Sequence, residues 1–166
     1  MIKPEKLNSE VVSLLQKRLV DEYNAFYLYR NATNWCQNEG FFKAAKFFKE
    51  ESDGELVHAK KIEDYIVDWN VIPALPSIPS PQSFKSLGEI IEEAYKIEYD
   101  LYEKYEETSA KVFKISELCT FDLLQFFRDV QNKSVAEYSD KLNVLNGVDV
   151  NDKFKMLLLE KTLFGA

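Results

Sequence analysis

Asn70-Val71-Ile72-Pro73-Ala74-Leu75-Pro76-Ser77-Ile78-Pro79-Ser80-Pro81-Gln82-Ser83-Phe84-Lys85 carries four of the five prolines in a chain of 166 residues. Each proline removes a backbone donor and crowds the preceding turn, so this segment is barred from helix and reads as an extended connection. The stretches on either side have the opposite character. Glycine is scarce there, and apolar residues recur at three- and four-residue spacing, the pattern of amphipathic helix. About 28 helical residues span roughly 42 Å, while some 15 extended residues reach roughly 50 Å. The connection can therefore return the chain along the full length of a helix pair. The expected fold is all-α: two antiparallel hairpins joined by one long crossover between helices two and three, plus a short fifth helix.

Local signals set the expected boundaries within one domain covering residues 1–166. Asn8 is the expected N-cap of a first helix over about 8–38, with Val11, Leu14, Leu15, Leu19, Ala25, Phe26 and Leu28 forming its apolar side. Glu39-Gly40 is a turn, and a second helix follows over about 41–69. Ser86-Leu87-Gly88-Glu89 has the form of a capping box and opens a third helix over about 86–114. Thr120 is the expected cap of a fourth, over about 120–145, which Asn146-Gly147 should stop. Asn151 is the expected cap of the last, over about 151–164. No strand-like alternation competes with these helices.

Composition narrows the functional classes. Hydrophobic residues make up 46% and charged residues 30%, the balance of a folded globular domain. A net charge of −7 disfavours nucleic acid, which needs a basic surface. Cys36 and Cys119 form no Cys-x-x-Cys pair, which argues against a disulfide framework and a rubredoxin-type iron site. The opening Met1-Ile2-Lys3-Pro4-Glu5-Lys6 shows no signal peptide, and no apolar run approaches a membrane span. A cytoplasmic protein without membrane or nucleic-acid partners is expected.

The single histidine lies in Glu55-Leu56-Val57-His58. Residues three apart share a helix face, so Glu55 and His58 aim a carboxylate and an imidazole at one point, a donor set suited to iron, manganese or zinc. Alone this motif is weak. The other helices offer polar groups at matching depth: Glu22 on the first, Glu98 on the third and Gln131 on the fourth. Glu22 stands about as far before the first turn as His58 stands after it, and Glu98 and Gln131 lie similar distances from their caps. Inward ligands at one level of a bundle are the signature of two-metal carboxylate sites. A solvated surface carboxylate is the alternative for each Glu singly, and a satisfied core amide the alternative for Gln131.

The chain resembles a bacterial-type non-haem ferritin over nearly its whole length. The strings that carry the resemblance are Tyr23-Asn24-Ala25-Phe26-Tyr27-Leu28-Tyr29, Trp35-Cys36, Glu55-Leu56-Val57-His58-Ala59, Tyr95-Lys96-Ile97-Glu98, and Leu124-Gln125-Phe126-Phe127 leading to Gln131. The resemblance implies a ferritin-like four-helix bundle that stores iron and detoxifies it. It implies a diiron ferroxidase centre with Glu22, Glu55, His58 and Glu98 as iron ligands, Glu55 bridging, and Gln131 beside the second iron. Tyr29 would support the centre, by passing an electron or by hydrogen-bonding a ligand. Substrates would be Fe(II) and dioxygen or hydrogen peroxide, with two irons per subunit, and the last helix would line fourfold channels of a 24-subunit homo-oligomeric shell.

Departures from the family pattern carry information. Gly54 replaces a second Glu, and Val130, Lys133 and Ser134 stand where further Glu residues would build a third, inner iron site, so that site is expected to be absent or weakened. Leu56 replaces the haem-ligating Met of bacterioferritins and the fourth helix has no His, so no haem is expected. Glu50 and Asp53 are candidates for holding mineral, and Asp122, Gln125 and Asp129 for lining a channel. Two rivals stay open at this level: a shell subunit or binding bundle without ferroxidase activity, and a diiron oxidase or peroxidase with a stable cofactor.

Overall fold

The computed structural model describes residues 6–165; residues 1–5, read above for a leader, lie outside them. Among the described residues the chain forms five helices and no strand: α1 (Ser9–Glu39), α2 (Phe42–Asp68), α3 (Leu87–Lys114), α4 (Leu118–Leu145) and α5 (Lys153–Phe164). Asn8 caps α1 as expected, its Oδ1 accepting from the backbone N–H of Glu10 at 2.8 Å and of Val11 at 3.4 Å. Gly40 stops α1 at φ 86°, a left-handed conformation open to glycine, and Phe41 N–H donates back to the Cys36 carbonyl at 2.9 Å. Ser86 Oγ accepts from Glu89 N–H at 3.1 Å, while the Glu89 carboxylate accepts from Lys85 N–H at 2.5 Å.

Two caps differ from expectation. Helix α4 begins at Leu118, so Thr120 is not its cap; Thr120 is buried within the first turn, with its hydroxyl 2.8 Å from that of Tyr65. Asp152, not Asn151, caps α5, accepting from Lys155 N–H at 3.2 Å. Asn151 is held in the preceding turn, where its N–H donates to Asp149 Oδ1 at 3.0 Å.

The proline segment runs as a crossover along α1. It starts where Leu7 N–H donates to the Trp69 carbonyl at 3.2 Å. Further on, the Gln16 amide makes a two-way bond to the backbone of Ala74, at 2.9 and 2.7 Å. It ends with Lys85, Ser86 and Leu87 bordering a small cleft shared with Trp35 and Glu39, at the opposite end of α1. At the start of α3, Gly88 admits the α4–α5 connection: a Cβ there would stand 2.6 Å from Val150 Cβ.

Helices α1 and α2 pack as one hairpin and α3 and α4 as the other. Two apolar cores fill the bundle. One gathers Leu14, Leu15, Leu19, Ile62, Tyr105 and Phe127; the other gathers Leu28, Phe48, Ile90, Ala94, Tyr138 and Met156. Between them lies a polar layer.

Candidate metal centre

That layer holds Glu22, Glu98 and Gln131, each no more than 1% exposed, and Glu55 at 4%. One residue comes from each long helix, so the depth matching of the sequence corresponds to a real layer. Glu22, Glu55 and His58 present donor atoms within 4.8 Å of one another. The imidazole turns Nδ1 inward, 3.0 Å from Glu55 Oε2 and 3.6 Å from Glu22 Oε2. The ring meets Phe126 and Phe127 in T-shaped contacts, with centroids 5.8 and 6.1 Å away. Glu98 stands beside this group, its Oε2 accepting from the Gln131 amide at 2.6 Å and its Oε1 accepting from the Tyr29 hydroxyl. The Tyr105 hydroxyl donates to Glu22 Oε1.

The electrostatics are those of crowded, buried carboxylates. Carboxylates placed between apolar layers lose hydration, and their like charges oppose one another. Burial, then the charges of Glu22 and Glu98, push the Glu55 carboxyl well above its ordinary range. Burial lifts Glu98 to about 7, against the hydrogen bonds from Tyr29 and Gln131 that favour its charged form. Two buried acceptors, Glu22 Oε2 and Gln131 Oε1, make no hydrogen bond. Such orphans are costly unless something absent from the protein satisfies them. Hard oxygens with one imidazole nitrogen fit a divalent first-row metal.

A model of the ferritin-like domain family matches residues 12–148. The chain belongs to the ferritin family. It is 28% identical over 158 residues to a probable bacterial non-heme ferritin-like protein of Haemophilus influenzae, covering 95% of each chain. It is 27% identical over 158 residues to a bacterial non-heme ferritin of Staphylococcus saprophyticus, covering 95% of this chain and 94% of that one. An open pore ferritin of the archaeon Archaeoglobus fulgidus has the same fold, with a TM-score of 0.86, 21% identity, and coverage of 95% of this chain and 96% of that one. Family membership gives this chain iron storage as its class of function and metal binding as its chemistry.

Within this ferritin the sequence reading missed three residues around the layer. Tyr105 and Tyr138 are fully buried, and Glu51 is partly buried with its carboxylate accepting from Tyr138 at 3.1 Å. A signal existed. Tyr29, His58, Tyr105 and Tyr138 each follow an acidic or amide residue in or beside the layer by seven positions, two turns along the same face: Glu22, Glu51, Glu98 and Gln131. The mineral candidates Glu50 and Asp53 are exposed, and Asp53 pairs with Lys49 at 3.0 Å. Asp122, Gln125 and Asp129 share an exposed face of α4. Gly54 has open space around its would-be Cβ, so nothing in the structure explains a glycine there.

Proposed function

We propose that this chain is a ferroxidase subunit that binds two Fe(II) ions as substrate, oxidises them with dioxygen and passes ferric iron to a stored mineral. Glu22, Glu55 and His58 would hold the first iron, and Glu55, Glu98 and Gln131 the second. The observation that carries this reading is the buried polar layer itself: three carboxylates, an imidazole and an amide between two apolar cores, with Glu22 Oε2 and Gln131 Oε1 unsatisfied. A purely structural layer would pair those atoms internally, because leaving them unmade costs roughly 1–3 kcal/mol each. The second iron has the poorer charge balance, one carboxylate of its own, one shared and a neutral amide. That suits a transient occupant better than a permanent cofactor.

Two Fe(II) ions at adjacent positions give one electron each to dioxygen, and the displaced carboxyl protons of Glu55 and Glu98 leave with metal binding. Tyr29 holds Glu98 in place and is near enough to supply an electron. No inner third site is expected beside this centre, since Val130 and Ser134 are only partly exposed non-ligands and Lys133 is an exposed cation. The subunit would assemble in the cytoplasm into a 24-subunit shell. Support comes from apolar side chains left in water: Leu56, Val57 and Val67 on α2, and Phe154 and Leu158 on α5, between 43% and 71% exposed. No helix among the described residues is long and apolar enough to cross a membrane.

The test is Fe(II) oxidation by the wild type and by His58→Ala. Loss of the only imidazole donor should slow oxidation by at least the roughly 10–100-fold that disturbing a metal ligand's partner costs. A variant that oxidises iron as fast as the wild type would leave a shell subunit without ferroxidase activity.

A further inference from the structure

Tyr29 and Tyr138 stack with ring centroids 6.2 Å apart and planes 6° from parallel. Both are fully buried. Each phenol has its own carboxylate acceptor: Tyr29 donates to Glu98 inside the metal layer, and Tyr138 donates to Glu51 Oε2 at 3.1 Å. Glu51 is the outermost member of this series, with part of its surface in water. The result is one continuous line of polar and aromatic groups from the centre to the bundle edge, Glu98 to Tyr29 to Tyr138 to Glu51.

A neutral phenol is hard to oxidise unless its proton can move to a base as the electron leaves. Burial, followed by the charges of Glu51 and Glu98, keeps the Tyr138 phenol protonated far above its usual range. Tyr138 would therefore stay a phenol in the resting protein and lose proton and electron together. Glu51 stands at hydrogen-bond distance to receive the proton.

We propose that Tyr138 is a second oxidisable tyrosine, relaying electrons from a further Fe(II) ion to Tyr29 while Glu51 takes and returns its proton. The relay rests on the ferroxidase reading above. Two bound Fe(II) ions reduce dioxygen to the peroxide level, taking up two protons. Reduction onward to two waters needs two more electrons and two more protons, the latter from solvent. Tyr29 gives the first electron, its proton held at the hydrogen bond to Glu98. Tyr138 then returns an electron to Tyr29 and passes its own proton to Glu51. A further Fe(II) ion reduces the Tyr138 radical, the Glu51 proton goes back to the phenol oxygen, and that iron leaves as Fe(III). A second passage supplies the second electron. Overall, four Fe(II) ions and one dioxygen, with four protons, give four Fe(III) ions and two waters.

The experiment compares wild type, Tyr138→Phe and Glu51→Gln. For each, Fe(II) consumed per dioxygen, hydrogen peroxide released, and tyrosyl radical in freeze-quenched samples by electron paramagnetic resonance are measured. Tyr138→Phe removes one hydroxyl and keeps the ring stack; Glu51→Gln keeps an acceptor but removes the base, at a position partly open to water. In the wild type the ratio should approach four with little peroxide. In both variants it should fall towards two, with peroxide released and a longer-lived radical confined to Tyr29. Ratios, peroxide yields and radical lifetimes equal to wild type in both variants would overturn the relay while leaving the ferroxidase reading intact. A wild type that oxidises no iron would overturn both.

Discussion

Burial holds the Glu98 carboxyl near 7 rather than the ordinary 4.5, and Glu55 is raised further by its neighbours. In the metal-free protein these groups keep protons that an unfolded chain would already have lost. Their contribution to stability is then full below about pH 4.5 and declines as pH rises towards 7. Thermal unfolding of the metal-free protein should therefore show a falling Tm between about pH 5 and pH 7. Glu98→Gln should flatten the slope, and a bound divalent metal should reverse it by exchanging protons for positive charge. A metal-free Tm that is level or rises across this window would contradict the assignment of a proton-loaded, metal-seeking layer. The Glu55 and His58 pair was legible in the sequence because three-residue spacing is a property of one helix. The hydrogen bonds of Tyr105 to Glu22, Tyr29 to Glu98 and Tyr138 to Glu51 each join two helices. Such partners depend on how the helices are set against each other, which spacing along one helix does not encode.

At the level of elements, the reciprocal bonds between α1 and α3 define their register. Glu22 meets Tyr105 and Tyr29 meets Glu98, a pairing possible only if the two helices run antiparallel. The proline crossover makes that direction possible, and it was readable because prolines forbid helix over a known length. The docking of α5 was not. Helix α2 begins at Phe42 behind Phe41, which offers no side-chain cap. Glu160 of α5 supplies the acceptor instead, taking the backbone N–H groups of Lys43 at 2.6 Å and Ala44 at 3.0 Å. A carboxylate at a helix N-terminus satisfies orphan donors and favours the helix dipole. The last turn of the same helix is held by Lys141, whose ammonium donates to the Leu163 carbonyl at 2.8 Å and lies 4.4 Å from the Phe47 ring centroid. Glu160→Ala should destabilise the protein by about 1.5–3 kcal/mol, the range for hydrogen bonds to a charged group. Denaturant unfolding measures it, and a loss below about 0.5 kcal/mol, the level of an ordinary surface change, would show that Glu160 does not hold α5.

For the molecule as a whole, the arrangement is a four-helix bundle whose core is interrupted at a level where all four long helices contribute a buried polar side chain. Uninterrupted apolar packing there would make the bundle more stable, since buried charge costs more than it returns unless something binds it. The ferritin family binds iron, and the unsatisfied oxygens of the layer are of a kind that a divalent metal would satisfy. The central claim is that the layer holds two metal ions between Glu22, Glu55, His58, Glu98 and Gln131. Anomalous diffraction at the iron edge, from crystals loaded with Fe(II) without oxygen, tests it most directly. The account predicts two peaks per subunit on opposite sides of Glu55, one against His58 and Glu22 and the other, less fully occupied, against Glu98 and Gln131. A layer without metal, or iron bound only at the exposed carboxylates Glu50 and Asp53, would contradict it.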